Sequence, residues 1–239
     1  MSVSSTLRPP TVVFDLSDVL LGGTGKFLAI LTKKYGKSIA EAIILRFATY
    51  APEPKYPDWP REPYLKKLFR GEMSEEDFFK TILANESLFR GIEPADVQEV
   101  FSTAVSSPIR SNIKLVQQLV ANGCKVCFAS DHVKEEVDNM KARNPELFAL
   151  VADARCFWSF TKIYEPDIGL FRDPLTKDAP TAFLRLKRDV RINSEPIVYV
   201  GHVLENIIAA QIDGFHGILY RKPKQLKTRL EEIIGFKLE

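Results

Sequence analysis

Two carboxylates follow a short apolar run near the beginning of the chain. The run from Val12 to Phe14 predicts a buried strand, and Asp15 and Asp18 come before a turn at Gly22 and Gly23. A strand buried on both faces is typical of a parallel α/β sheet, whose ligands bind outside the carboxyl ends of the strands. A carboxylate at that place can act as a covalent nucleophile or as an oxygen ligand of a hard cation. This stretch is therefore the candidate active site.

Polar residues also follow later predicted strands. The second half of the chain predicts strands at 125–129, about 154–158, 197–200 and 217–220. Predicted helices alternate with these strands at 112–122, 133–143, 169–175, 181–187, 204–212 and 223–234. This alternation predicts a Rossmann-like α/β core with a parallel sheet and right-handed crossovers. We expect the polar segments 130–132, 162–167 and 201–206 to meet Asp15 at one edge of the sheet.

The residues between the first two strands predict helices only. Apolar spacing and capping residues predict helices at 26–35, 38–50, 64–70, 74–88 and 94–105. Ser38 and Glu41 have the spacing of a capping box at the start of the second helix. The prolines between Pro52 and Pro63 exclude a regular element there. We predict a helical cap at 24–107, inserted into an α/β core formed by 1–23 and 108–239.

The overall composition narrows the class of protein. Hydrophobic residues make up 45% of the 239 positions, which is enough for a core. The 33 basic and 31 acidic residues leave a net charge of +2, which gives no strong attraction for nucleic acid or an anionic membrane. No apolar run reaches the about 20 residues of a membrane helix, and the N-terminus lacks the layout of a signal peptide. We expect a soluble, cytoplasmic protein.

The cysteines do not indicate a metal or disulfide site. Cys124 and Cys127 are three residues apart in a predicted strand, so their side chains point to opposite faces. With Cys156 they make an odd number of cysteines in a chain without a secretory signal. We expect buried thiols.

The order and spacing of these motifs resemble the haloacid dehalogenase-like superfamily, with a helical cap inserted after the first strand. The segments Phe-Asp-Leu-Ser-Asp-Val-Leu, Ala-Ser-Asp-His and Glu-Pro-Asp-Ile-Gly-Leu-Phe are similar to those of a hydrolase-like subgroup common in fungi. Members carry an aspartate nucleophile, a Ser or Thr, a Lys, and acids that complete a magnesium site. The resemblance implies that Asp15 is the nucleophile and Ser130 is the hydroxyl that binds phosphate.

The chain departs from the family pattern at the other catalytic positions. Ser17 stands where phosphatases carry the general acid, and Glu165 stands where the lysine is expected. A second anion about 4 Å from a phosphate costs on the order of 4 kcal/mol near a protein surface, so Glu165 should disfavour phosphate binding. Lys162 is a candidate substitute for the lysine, although a lysine in a polar loop is more simply explained as exposed. Gly201 and His202 replace the acidic pair, which leaves Asp15 as the only carboxylate left to bind a metal, if any is bound.

Other polar residues at the strand ends are candidates for binding a ligand. Asp18 is predicted to cap the turn, Asp131 to cap the following helix, and Asn206 to hold the last loop. The loop histidine His202 is most simply explained as hydrogen-bonded and neutral. With Asp15, Ser130 and His132 it could alternatively form a His-activated hydrolytic site or a mixed-ligand metal site.

Three functions remain open at this point. The first is an eroded phosphohydrolase that lacks a usable magnesium site and acts by binding a small molecule between core and cap. The second is a metal-independent hydrolase that uses Asp15 as a covalent nucleophile on a small organic or phosphate substrate. The third is an interaction module whose aromatic residues Tyr56, Trp59 and Tyr64 contact a protein partner.

Overall fold

The structure is a computed structural model of the whole chain. It describes residues 10–49, 63–69, 72–84, 86–130, 132, 134–151, 157–159, 182–189, 192 and 196–239. Several sequence predictions lie outside these residues, among them the loop at 52–62, the helix at 169–175 and the thiol of Cys156.

A parallel β-sheet forms the centre of the described structure. Its strands are β1 (Thr11–Asp15), β2 (Lys125–Ser130), β3 (Phe157–Ser159), β4 (Ile197–Gly201) and β5 (His216–Leu219). They lie side by side in the order β3-β2-β1-β4-β5, so β1 is the central strand. In β1, Val12 and Phe14 pack into one hydrophobic cluster and Val13 into another, because successive side chains point to opposite faces. The predicted Rossmann-like α/β core is confirmed.

Helices cover both faces of the sheet. Their bounds are α1 (Thr24–Tyr35), α2 (Lys37–Thr49), α3 (Tyr64–Phe69), α4 (Glu75–Leu83), α5 (Pro94–Val105), α6 (Arg110–Ala121), α7 (Lys134–Arg143), α8 (Pro145–Ala149), α9 (Ala182–Asp189), α10 (Leu204–Ile212) and α11 (Pro223–Ile234). A short 3-10 helix spans Ser87–Phe89. Leu119 of α6 and Leu230 of α11 pack on one face of the sheet. Phe183 of α9 and Ile207 of α10 pack on the other.

Helices α1 to α5 follow β1 and form what we call the helical segment, residues 24–105. Its described part contains no strand. Its centre is a cluster of aromatic rings with centroids 5.1–5.6 Å apart in six pairs, Phe27–Phe47, Phe27–Phe101, Phe47–Phe78, Phe47–Phe101, Phe78–Phe79 and Phe79–Phe101. The helical segment is tied to α7 by an ion pair between Arg143 and Glu99, 3.0 Å apart. That 24–107 form a separate cap domain stays a prediction.

Most helix bounds agree with the sequence predictions, but the start of α2 and the end of α4 differ. Helix α2 begins at Lys37, directly after the glycine that ends α1, so the capping box predicted at Ser38 is wrong. The predicted helix at 74–88 is interrupted, since α4 ends at Leu83 and a 3-10 turn follows. The N-cap at Ser74 is confirmed, because its Oγ accepts from the backbone N–H of Asp77 at 3.1 Å.

The prediction of buried thiols is confirmed for Cys124 and Cys127, neither of which forms a disulfide. Helix α8 was not predicted; it begins at Pro145 immediately after α7.

Among the described residues, no helix is both long enough and apolar enough to span a bilayer.

Candidate active site

The loop after β1 places two carboxylates at the carboxyl edge of the sheet. Asp15 ends the strand and is only 2% exposed. The chain then turns sharply, because the backbone N–H groups of Leu20 and Leu21 both donate to the carbonyl of Leu16 at 2.9 Å. Asp18 lies in this turn with a left-handed φ of 54°. The side chains of Asp15 and Asp18 are thereby held near the end of the neighbouring strand β4.

The end of β4 brings a histidine against these carboxylates. His202 Nδ1 lies 3.4 Å from Asp15 Oδ2, and His202 Nε2 lies 3.9 Å from Asp18 Oδ2. A protonated imidazole there forms an ion pair with each carboxylate. Asn206, in the first turn of α10, is 7% exposed and lies beside the same crevice.

The end of β2 contributes a second histidine, which contacts a serine of the first loop. His132 is 6% exposed, and its backbone N–H donates to Ser130 Oγ at 3.1 Å. Its Nε2 is hydrogen-bonded to Ser17 Oγ, and its Nδ1 is hydrogen-bonded to Glu136 Oε2 in α7. Glu136 has no exposed surface. The fold thus connects the hydroxyl of Ser17, the imidazole of His132 and the buried carboxyl group of Glu136 in one line of hydrogen bonds.

The buried carboxylate is linked in turn to the helical segment. Glu75 of α4 lies close to Glu136, and Gln98 Nε2 of α5 donates to Glu75 Oε2 at 2.9 Å. Burial, together with the nearby charge of Glu136, raises the pKa of Glu75 to about 8. At neutral pH Glu75 therefore keeps its proton and can donate it in a hydrogen bond to a carboxyl oxygen of Glu136.

A cavity of about 190 Å³ lies over these residues. Its polar wall includes Asp15, Ser17, Asp18, His132, His202 and Asn206. Its apolar wall comes mainly from the helical segment, with Phe47, Leu65, Phe101 and Val105. A larger cavity of about 510 Å³ lies between α6 and the corner of α7 and α8, and it contains none of the predicted site residues. The smaller cavity is therefore the candidate ligand site.

The donors around Asp15 differ from the set that magnesium needs. Mg²⁺ prefers octahedral coordination by oxygen, whereas the group facing Asp15 Oδ2 is an imidazole nitrogen. Within the described ranges, no cluster of three or more His, Cys, Asp or Glu side chains is placed to hold a metal ion. The described residues at this strand edge do not fit a magnesium ion.

The structure brings together most of the residues that the sequence singled out. Asp15, Ser17, Asp18, His202 and Asn206 line one cavity. Ser130 lies at the end of β2 and is buried. The predicted site residues Asp131, Lys162 and Glu165 lie outside the described residues.

Sequence reasoning missed Glu136, Glu75 and Gln98. The spacing of His132 and Glu136 was the available signal, since a side chain just before a helix can reach one in its first turn. For Glu75 and Gln98 no sequence signal existed, because their contacts with α7 depend on how the helical segment packs.

Comparisons with known proteins agree with this fold. A family model for hydrolases, described as haloacid dehalogenase-like hydrolase, matches residues 9–212. The protein therefore belongs to the haloacid dehalogenase-like hydrolase family, as the sequence motifs predicted. No curated protein matches the chain significantly.

Solved structures of dehalogenases have a similar fold. L-2-haloacid dehalogenase from Xanthobacter autotrophicus, with chloropropionic acid covalently bound, is 13% identical with a TM-score of 0.52; the match covers 95% of this chain and 84% of that one. A dehalogenase with an intermediate complex is 12% identical with a TM-score of 0.54, and the match covers 89% of this chain and 84% of that one. At such low identity, the likeness concerns the fold alone.

Proposed function

We propose that this protein is a family member that has lost magnesium-dependent phosphoryl transfer and uses the crevice above β1 to bind a small organic molecule. The proposed cap is the helical segment, which closes the crevice. No metal cofactor takes part.

The contact between Asp15 and His202 carries this proposal. A carboxylate nucleophile needs a cation to offset its repulsion from a phosphate, and the family supplies that cation as Mg²⁺ held by further acids. Here an imidazole nitrogen, Nδ1 of His202, lies 3.4 Å from Asp15 Oδ2 where the family would place a metal ion. The position of the family's general acid is occupied by Ser17, whose hydroxyl is engaged with His132.

The walls of the cavity indicate the class of ligand. Four apolar side chains face a polar floor, which suits a molecule with one hydrocarbon end and one polar end. The cavity of about 190 Å³ is smaller than the about 300–1,000 Å³ typical of sites for drug-sized ligands. We infer a small, uncharged or weakly polar ligand.

The proposal is tested with phosphate esters and with Mg²⁺ itself. We expect the purified protein to show no turnover of p-nitrophenyl phosphate above background at millimolar Mg²⁺. Calorimetric titration with Mg²⁺ should give no binding heat, and Mg²⁺ should not raise the melting temperature. Magnesium-dependent turnover that disappears in Asp15→Asn contradicts the proposal.

The alternative use of Asp15, as a metal-independent nucleophile, gives a different result. It predicts a covalent ester on Asp15 when the protein is incubated with small haloacids such as 2-chloropropionate. The added mass would map to the peptide that contains Asp15. We expect no such adduct, because the imidazole of His202 lies 3.4 Å from Asp15 Oδ2 and competes with a substrate for this carboxylate oxygen.

A further inference from the structure

We propose that Ser17, His132 and Glu136 form a serine nucleophile, its general base and a positioning carboxylate, which give the crevice esterase activity toward short-chain carboxylic esters. This inference rests on the proposed function, because it uses the same crevice and the same small ligand. The inference goes beyond the proposed function because it adds a reaction that does not involve Asp15.

The hydrogen bonds determine which atom carries each proton. With the carboxylate oxygen Oε2 of Glu136 as the acceptor, the Nδ1 of His132 carries the hydrogen of that bond. In a neutral ring this leaves the lone pair on Nε2, which accepts the hydroxyl hydrogen of Ser17. A hydroxyl bonded to an imidazole that is oriented by a third group is the arrangement that activates a serine nucleophile.

Burial and packing hold this arrangement in place. Glu136 has no exposed surface and His132 is 6% exposed, whereas Ser17 is half-buried and lines the cavity. Glu75 lies beside Glu136 and accepts a hydrogen bond from Gln98, so polar contacts continue from Glu136 into the helical segment. Ser17 and His132 line the crevice, and Glu136, which orients the imidazole, is shielded from water.

The reaction balances without a cofactor. Ser17 Oγ bonds to the carbonyl carbon of the ester while its proton passes to His132 Nε2. The carbon–oxygen bond to the leaving group breaks, and His132 returns that proton to the departing alkoxide. Water then attacks the acyl-serine with His132 again accepting a proton, and the acid leaves as Ser17 regains its hydrogen. Asn206 lines the same cavity, and its side-chain amide can donate to the charged carbonyl oxygen.

The experiment uses the full chain with two probes. A fluorophosphonate reports the nucleophile, since Ser17 Oγ displaces fluoride from phosphorus and forms a stable adduct. The ester p-nitrophenyl butyrate reports turnover. We expect one adduct per chain on the peptide containing Ser17, and release of p-nitrophenol above the rate in buffer.

Variants separate catalysis from structure. Ser17→Ala should lose the adduct and His132→Gln should lower turnover on the order of 10²–10⁴-fold. Glu136→Gln should lower kcat with little change in KM, because an amide cannot stabilise the imidazolium by charge. Ser106→Ala is the matched control: this buried serine makes no hydrogen bond through Oγ with the described residues. It should label and turn over like the unaltered chain.

Clear results overturn the inference. It is wrong if the unaltered chain gives no adduct on Ser17 while a known serine hydrolase labels fully under the same conditions. An adduct that maps elsewhere, or turnover in a folded Ser17→Ala equal to that of the unaltered chain, also overturns it. Mapping on the unaltered chain decides the matter even if a variant does not fold. Magnesium-dependent phosphatase activity would instead contradict the proposed function, whatever the labelling of Ser17.

Discussion

At the scale of single residues, the replacement of an acid by Ser17 changes the chemistry available at the end of β1. An acid two residues after the nucleophile donates a proton to a leaving phosphate ester. A serine at that position cannot, but its Oγ reaches the imidazole of His132. The same substitution that removes one reaction therefore places a hydroxyl beside a base.

Asp18 illustrates how the backbone of this loop is held. Its φ of 54° is left-handed, a conformation that costs most L-residues about 1–2 kcal/mol and that Asp and Asn tolerate best. The side chain of Asp18 is also constrained by Gly23, because a Cβ at position 23 would lie 2.3 Å from Asp18 Oδ2. The carboxylate thus fills the space over the glycine, which keeps it close to His202.

The cost of this conformation can be measured with two substitutions. Asp18→Gly and Asp18→Ala both remove the carboxylate, but only glycine adopts the left-handed region freely. We expect the free energy of unfolding of Asp18→Ala to be about 1 kcal/mol below that of Asp18→Gly, from urea denaturation. The glycine variant is the control for loss of the carboxylate. Equal stability of the two would mean that the turn relaxes.

At the scale of elements, the sequence predicted bounds well wherever caps and periodicity agree. Helices α5, α10 and α11 have the predicted bounds, because α5 and α11 each begin with a proline in the first turn and their apolar residues recur at helical spacing. The prediction failed at α2, where Gly36 with φ 85° ends one helix and the next begins without a linker. A cap pattern is local, whereas the helix start was decided by packing against α1.

Phe101 of α5 connects the packing of the helical segment to the size of the cavity. It is 4% exposed, and its ring centroid lies 5.2 Å from that of Phe27 in an edge-to-face contact. It also lines the cavity. We expect Phe101→Ala to lower the free energy of unfolding by about 3–5 kcal/mol and to enlarge the cavity.

The two effects of Phe101→Ala are measured separately. Denaturation reports stability, and the relative turnover of p-nitrophenyl hexanoate over butyrate reports cavity size, which should increase. The control is Phe79→Ala, which removes a buried ring of the same cluster that does not line the cavity. The expectation fails if both variants change the ester preference equally.

At the scale of the whole molecule, the line of hydrogen bonds connects three parts of the chain that are far apart in sequence. Ser17 follows β1, His132 and Glu136 follow β2, and Glu75 belongs to the helical segment. The positions after β1 and β2 were predictable, because the carboxyl ends of adjacent parallel strands meet. The position of Glu75 beside Glu136 was not predictable, because it depends on how α4 packs near α7. The sequence has no periodic signal for that packing.

Glu75 makes the stability of this connection depend on pH. The pKa of Glu75 is about 8 in the folded chain, against an ordinary value of 4.5, because of burial and the nearby charges of Glu136 and Glu135 on α7. Between these two values the unfolded chain has lost the proton that the folded chain keeps. The stabilising contribution is complete below 4.5 and is lost as pH rises through 8. The free energy of unfolding should fall by up to about 1.4 kcal/mol for each pH unit in this window.

Glu75→Gln removes the titration but keeps the hydrogen bonds, since an amide can donate to Glu136 and accept from Gln98. We expect this variant to lose the decline in stability between pH 5 and pH 8, measured by urea denaturation at four pH values across that range. Glu205→Gln, an exposed residue on α10, removes the same charge and should keep the decline. If Glu75→Gln and the unaltered chain lose stability in parallel as pH rises, Glu75 does not hold the proton. The Glu136 carboxylate would then lack the donor that we place between α4 and α7.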